Sequence, residues 1–464
     1  MEFERVYFVG IGGIGMSALA RYFLHEGKAV AGYDRTETAL TRALAGEGAA
    51  VHYEDRVDSI PLPFRSPGGT LVVYTPAVPD DHAELNYFRG HGFEVVKRSQ
   101  ALGHLSRGKY VMAVAGTHGK TTTSTLTAWL DHEAAAPGGE PGAGGGSAFL
   151  GGISRNFGSN LVLGTGRRLV VEADEFDRSF LRLTPDAAVI TAADADHLDI
   201  YGTHEAVKEA FSQFVDRIVP GGALVIKQGV EIALRNAGIR VFRYSFDTPC
   251  DFYARNVILL DGGHYRFDLV CPDRVIGGCT LGVPGWVNVE NAVAAVALMW
   301  VAGFDEERLR GALARFEGVK RRFEFYINTP SQVYMDDYAH HPRELEAAIT
   351  SVRKMFPGRR LTVLFQPHLY TRTRDLYREF AAALSLADEA VLLPIYPARE
   401  LPIEGVDAEL IGRCLTVPWR VVSRERVAGE LAGMETDVVV SFGAGNIENC
   451  CPAIAEELRK KVKQ

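Results

Sequence analysis

Lys120 stands near the end of a short run, Gly116-Thr117-His118-Gly119-Lys120-Thr121-Thr122, with the make-up of a phosphate cradle. Backbone N–H groups of a glycine turn at a helix N-terminus hold an anion. The lysine adds a point charge for terminal phosphates, and the Thr121 hydroxyl reaches a Mg²⁺ ion. The usual spacing has a further glycine where Val114 stands, so the motif is the shortened Gly116-x-x-Gly119-Lys120-Thr121. A nucleoside triphosphate is the ligand it predicts. Downstream, Glu172-Ala-Asp174-Glu175 and Asp194-Ala-Asp196-His197-Leu-Asp199 gather carboxylates and an imidazole. Such groups suit divalent metals that hold triphosphate oxygens. Lys320-Arg321-Arg322-Phe323 reads either as a solvated turn or as a phosphate clamp. Asp336-Asp337-Tyr338-Ala339-His340-His341-Pro342 and Phe365-Gln366-Pro367-His368 offer substrate contacts, as does the following Tyr370-Thr371-Arg372-Thr373-Arg374-Asp375. Adjacent His340 and His341 are badly spaced to share a zinc ion, and His341 also reads as a satisfied loop histidine.

The elements needed to position these residues form three α/β blocks. In residues 1–105, the strand Val6-Tyr7-Phe8-Val9 leads into Gly10-x-Gly12-x-x-Gly15 and a helix carrying Met16, Leu19, Ala20 and Phe23. A second strand, Ala29–Tyr33, ends in Asp34, completing the layout of a dinucleotide fold. Strands at Thr70–Tyr74 and Glu94–Lys97 make the sheet mostly parallel. In residues 106–320, an apolar strand at 111–115 feeds the phosphate loop, and Leu126, Trp129 and Leu130 follow at helical spacing. Segment 137–146, nearly all Gly and Pro, reads as a surface loop inside the domain. Strands at 169–172 and 187–191 carry the acidic clusters to their carboxyl ends, where open parallel sheets collect ligands. Short strands and turns are expected over 221–280. In residues 321–464, strands at Leu361–Phe365, 390–394 and Val438–Phe442 read as buried and parallel. The helix after Pro342 shows one apolar face of Leu345, Ala348, Ile349 and Val352. The expected fold is three-domain α/β: Rossmann-like, then P-loop ATPase-type, then Rossmann-like again.

At 464 residues the chain exceeds a single core. Its 47% hydrophobic and 23% charged residues are those of a globular protein. A net charge of −8 without long basic runs argues against nucleic acid as a partner. The opening Met1-Glu2-Phe3-Glu4 carries no basic or apolar leader, and the longest apolar run, 292–302, is too short to span a bilayer. Six cysteines lack metal-ligand spacing and read as reduced thiols. A soluble, cytoplasmic protein without a membrane partner is expected.

Taken together, Gly10-Ile-Gly-Gly-Ile-Gly-Met-Ser17, Ala115-Gly-Thr-His-Gly-Lys-Thr-Thr122, Glu172-Ala-Asp-Glu175, Asp196-His197, Asp337-Tyr-Ala-His-His-Pro342 and Phe365-Gln-Pro-His368 resemble the Mur ligases across all three blocks. The shortened phosphate loop is a feature of that family, and this form of glycine-rich opening resembles its alanine-adding branch. The resemblance implies that the first block binds UDP-N-acetylmuramate, through Gly12, Gly13, Ile14, Gly15, Met16, Ser17, Asp34, Thr75, Pro76, Ala77 and Val78. It implies that residues 116–122 wrap ATP, with Asn291 on the adenine side. Thr121 and Glu172 would hold one Mg²⁺ and His197 a second, with Mn²⁺ an alternative. Arg322 and Asp337 would complete the ATP site on domain closure. Tyr338, His340, His368 and Arg372 would receive the amino acid and the muramoyl carboxylate. The implied reaction is ligation of L-alanine to the lactyl carboxylate through an acyl phosphate. Lys120, Glu172, His197, Arg322, His340 and His368 are its catalytic residues, and either histidine is a candidate base. A monomer or weak homodimer is implied. Val287 and Leu369 depart from the histidine and arginine often found at those places, and Lys208 has the wrong register for the carbamylated lysine of later ligases. The rival readings are a ligase that recycles an intact tripeptide, a nicotinamide-dependent dehydrogenase, and a P-loop regulatory or motor protein.

Overall fold

The structure is a computed structural model that describes residues 3–135, 145–195, 198–303, 308–398 and 400–462. The central strands of its parallel sheets are short apolar runs without polar alternation, as expected where both faces of a parallel sheet are covered. Five strands form the first sheet: β1 (Arg5–Val9), β2 (Ala29–Tyr33), β3 (Ala50–His52), β4 (Thr70–Tyr74) and β5 (Glu94–Lys97), in the order β3-β2-β1-β4-β5 and all parallel. Along β1, Val6 and Phe8 pack with Leu19 and Phe23 of the helix Ile14–His25, while Tyr7 and Val9 face Phe64 and Phe88 on the opposite side. The strand thus anchors two cores, and its carboxyl end aims the glycine loop.

The second sheet comprises β6 (Tyr110–Ala115), β7 (Ser147–Phe149), β8 (Leu161–Val162), β9 (Arg168–Glu172), β10 (Ala187–Ile190), β11 (Ala223–Lys227) and β12 (Arg240–Tyr244), ordered β12-β11-β10-β6-β9-β7-β8. Only the β7–β8 pair is antiparallel. Central β6 is flanked by β9 and β10, so the chain reverses direction across the sheet where the phosphate loop leaves β6. The helix Lys120–Ala135 follows at once. Of the expected Gly/Pro loop, 137–144 lie outside the described residues; Gly146 donates its N–H to Asp131 Oδ2 at 2.7 Å. The expected short strands over 221–280 divide between this sheet and a separate three-stranded one, β13 (Tyr253–Leu259), β14 (Tyr265–Val270) and β15 (Val275–Thr280).

The last sheet holds β16 (Glu324–Asn328), β17 (Val333–Asp337), β18 (Leu361–Phe365), β19 (Glu389–Leu392), β20 (Trp419–Val421) and β21 (Val438–Phe442), ordered β16-β17-β21-β18-β19-β20. Final strand β21 slots between β17 and β18, parallel to both, so three successive loops meet at one edge. The helix Pro342–Met355 buries the expected Leu345, Ala348, Ile349 and Val352. By contacts between residues the chain falls into two compact units. The first is Met1–Tyr253 with Leu269–Ile276 and Asn291–Gly318; the second is Ala254–Asp268 with Gly277–Glu290 and Val319–Gln464.

Candidate functional site

In the first unit, Gly116 and Gly119 have φ of +130° and +80°, which only glycine takes without strain. A side chain at Gly119 would come within 2.7 Å of Asn291 Oδ1, so the loop is wrapped as tightly as its sequence allows. Thr117 N–H donates to Ala192 O at 3.2 Å and Thr117 Oγ1 accepts from Asp194 N at 3.1 Å. Thr191 Oγ1 donates to the carbonyl of His118, whose ring lies 3.5 Å from Asp194. The loop is therefore stitched to the carboxyl end of β10. Lys120 Nζ donates to Gly116 O at 2.7 Å and to Glu175 Oε1 at 2.9 Å. Burial opposes its charge, but Glu175, Asp174 and Glu172 outweigh that penalty and hold the ammonium above its ordinary range. Lys120 stays cationic. Thr121 Oγ1 donates to Glu172 Oε1 at 3.1 Å, while Ser124 Oγ and Gly151 N–H donate to Oε2 at 3.3 and 3.0 Å. Thr122 is buried in the first turn of the helix, as Thr121 is, and Asn291 Oδ1 lies 3.4 Å from Thr123 Oγ1. His197, the proposed second metal ligand, and Asp196 lie outside the described residues.

The glycine loop occupies the same unit. Gly12 N–H donates to Asp34 Oδ2 at 2.7 Å, so the acid at the end of β2 braces the loop. Met16 and Ser17 are buried. Ser17 Oγ donates to Ile14 O at 2.9 Å and accepts from Asn160 Nδ2 at 2.9 Å, so its hydroxyl serves the loop's own backbone. Asn160, just before β8, also donates to Ile14 O. A cleft of about 280 Å³ runs from Gly13, Ile14 and Gly15 past Thr75 and Pro76 to Gly151, Glu172 and Asp174. Ala77 and Val78 continue the turn after Pro76, with Val78 N–H on Thr75 O at 3.1 Å. Arg98 crosses the cleft to Asp174 at 3.2 Å. The structure thus joins the glycine loop and Glu172 in one cavity. Gly151, Asn160, Arg98 and Ser124 were missed by sequence reasoning; none belongs to a motif, and each acts across a distance that only folding sets.

The second unit gathers its residues at the carboxyl edge of β17, β18 and β21. Asp337 accepts Ala339 N–H at 2.8 Å and Phe323 N–H at 3.0 Å; burial raises its pKa to about 6 despite Arg322. Arg322 lies over the Tyr338 ring, 5.2 Å from its centre. Its neighbour Arg321, over the same ring, also bonds Asp336 Oδ2 at 2.9 Å and Gly443 O at 2.6 Å. His340 Nδ1 faces Tyr338 O at 3.1 Å and Glu344 at 3.3 Å. His341 caps the helix Pro342–Met355, as a satisfied loop histidine would. The His340 and His368 ring centres are 6.1 Å apart, and His368 stacks on Tyr396 at 5.7 Å. Leu369 holds φ +71°, a strained value for a residue with a side chain, at the start of the helix Tyr370–Leu384 that carries Arg372. Val287 lies in the first turn of the helix Trp286–Val301. Gly443-Ala-Gly445-Asn446, after β21, was missed although a glycine pair ending a buried strand is a readable signal; Asn446 accepts from Gln366 Nε2 at 2.9 Å.

A phosphate loop with a charged lysine, a second glycine loop in the same unit and a histidine-bearing strand edge in the other define a ligase built on nucleotide folds. Family models match in series: the Mur ligase family catalytic domain over residues 5–110, the Mur ligase middle domain over 114–299, and the Mur ligase glutamate ligase domain over 321–445. The chain belongs to the Mur ligase family. It is 50% identical over 462 residues to the UDP-N-acetylmuramate–L-alanine ligase of Parabacteroides distasonis, covering 99% of this chain and 98% of that one. Its identity to the enzyme of the same name from Porphyromonas gingivalis strain W83 is 48%, covering 98% and 99%. Among solved structures, the UDP-N-acetylmuramate–alanine ligase of Thermotoga maritima superposes with a TM-score of 0.80 at 27% identity, covering 98% and 99%. The murein peptide ligase of Psychrobacter arcticus shares the fold, with a TM-score of 0.69 at 22% identity and 98% coverage of both chains.

Proposed function

We propose that this chain joins L-alanine to the lactyl carboxylate of UDP-N-acetylmuramate, converting ATP to ADP and phosphate. The observation that carries the reading is the cleft linking the glycine loop to Glu172, beside a lysine that stays charged. The carboxylate oxygen attacks the γ-phosphorus of ATP and ADP leaves; Lys120 stabilises the charge spread over the transferring group. The alanine amine then attacks the acyl carbon, and phosphate departs from the tetrahedral intermediate. Its nitrogen must first lose a proton. His340 suits the role of base, because turning Nδ1 to the Tyr338 carbonyl makes Nε2 the basic nitrogen. Tyr338, His368 and Arg372 are assigned to the amino acid and the muramoyl carboxylate, and Arg322, Asp337 and Asn291 to ATP.

The Thr121 hydroxyl and Glu172 carboxylate, 3.1 Å apart, fit a Mg²⁺ ion that takes its remaining ligands from phosphate and water. Bound there, the ion would neutralise charge on the phosphates; His197 is proposed for a second ion. The domain limits 1–105, 106–320 and 321–464, a monomer or weak homodimer, and a cytoplasmic setting complete the reading. Among the described residues no helix is long and apolar enough to cross a membrane.

The test is phosphate release from ATP and Mg²⁺ with UDP-N-acetylmuramate and each amino acid in turn. Release that needs the sugar, is greatest with L-alanine and yields a product heavier by one alanyl residue is expected. Preference for an intact tripeptide, or hydrolysis indifferent to sugar and amino acid, would overturn the assignment.

A further inference from the structure

At the end of the second sheet opposite the phosphate loop lies a larger cavity, about 480 Å³, within the first unit. Its walls come from the turn after the helix Arg98–Leu105, from the segment entering β10 and from the segment before β11. Each wall contributes cations: Arg107 and Lys109 from the first, Arg182 from the second, Arg217 from the third. All four side chains are exposed, and among the described residues no carboxylate lies within ion-pair distance of any of them. Arg217 Nε reaches only the Leu183 carbonyl, at 3.5 Å. The lining has a single acid, Asp186, and its Oδ2 already accepts Val111 N–H at 2.8 Å.

This concentration of positive charge is out of keeping with a chain of net charge −8, and it contrasts with arginines such as Arg21, Arg98 and Arg321, which are paired with carboxylates. A concave surface lined by one sign of charge focuses its field and raises the local concentration of counter-ions. The walls are also held in place. Gly103 lies so near the backbone at Arg182 that a methyl there would sit 2.7 Å from the carbonyl oxygen, fixing the first wall against the second. A volume of this size accepts a small molecule and is too small for a folded partner.

We propose that this cavity is a second anion site, for a small molecule carrying two or more phosphate groups, distinct from both nucleotide sites. Arg107, Lys109, Arg182 and Arg217 converge on the ligand from three directions, with arginine forks matched to phosphate oxygens.

The probe is inorganic pyrophosphate, titrated calorimetrically into the full-length enzyme. The phosphate loop is first filled with a magnesium-bound, non-hydrolysable ATP analogue and the glycine-loop cleft with UDP-N-acetylmuramate. One binding event is expected, weakened at least about tenfold in Arg182→Glu and again in the Arg107→Glu/Arg182→Glu double variant. Both variants should keep wild-type melting temperature and ligase turnover, since these side chains are solvent-exposed and remote from the reacting groups. Absence of a binding event with both nucleotide sites filled would overturn the proposal. So would affinity unchanged by the charge reversals, which would mean pyrophosphate binds elsewhere.

Discussion

Gly151→Ala puts the role of Glu172 to a test that leaves every motif residue in place. The added methyl would fall well inside 3.0 Å of the Glu172 carboxylate, whereas ordinary contact begins at 3.4 Å. Gly151 has no left-handed backbone to lose, so the effect falls on its neighbour. The carboxylate must retreat by about 1 Å, giving up its bonds from Gly151 N–H at 3.0 Å, Thr121 Oγ1 at 3.1 Å and Ser124 Oγ at 3.3 Å. A displacement of that size in a charge-positioning group lowers kcat about 100-fold, or about 2.7 kcal/mol of transition-state stabilisation. Folding suffers far less, because the displaced carboxylate stays in contact with water; the melting temperature should drop by no more than about 4 °C. Continuous phosphate release at varied Mg²⁺ concentration, beside thermal denaturation, measures both. Gly429→Ala, inside the helix Val427–Gly433 with nothing near the added methyl, serves as the control and should be silent or slightly stabilising. A Gly151→Ala enzyme that folds, turns over within about twofold of wild type and keeps its Mg²⁺ dependence would refute the assignment of Glu172.

Lys120→Met should abolish turnover and also lower stability by about 3 kcal/mol, since it removes the ammonium paired with the buried Glu175 carboxylate. Adding Glu175→Gln should restore the melting temperature but not activity. Asp337, with its pKa raised to about 6, should impose an acid limb on kcat as pH falls through that value, and Asp337→Asn should remove the limb from the pH–rate profile. Glu84 is buried with a pKa raised to about 7, so the folded state holds its proton more tightly than the unfolded chain. Its stabilising contribution is complete below pH 4.5 and lost as pH rises through about 7, and Glu84→Gln should flatten that part of the stability profile measured by denaturant unfolding. His52 and His82, whose pKa values burial lowers, act in the opposite sense. Asn160→Ala should raise KM for the UDP-sugar while sparing kcat at saturation, because it unpins Ile14 and Ser17 without touching the reacting groups.

Strand ends were the most legible part of this chain. Buried runs such as 111–115 and Leu361–Phe365 announce parallel strands by composition, and in such sheets the residues just beyond are where ligands gather. That logic reached Lys120, Glu172, Asp337 and His368. What escaped it depends on approach between segments distant in sequence: Gly151 seated on Glu172, Asn160 on Ile14, Tyr396 on His368. Some local signals also hid among stronger ones. His341 and Glu344 form a capping box, readable from spacing alone once the histidine is allowed to act as the cap. Arg321 and Arg322 are indistinguishable as a basic pair, and both guanidinium groups lie over the Tyr338 ring, yet only Arg321, at positive φ, also bonds Asp336 and the Gly443 carbonyl at the sheet edge.

The chain leaves the first unit after Tyr253 and returns to it twice, through Leu269–Ile276 and Asn291–Gly318, before continuing in the second. Neither unit is a continuous stretch of sequence. A fragment ending at residue 253 lacks parts of its own unit, including Asn291. One beginning at 319 lacks Gly263, which seats against Met355, and Gly285, which faces the Phe323 ring. A cut at residue 253 or at 319 therefore parts segments that one unit packs together. A graft of either unit from a relative must carry these intervening segments with it.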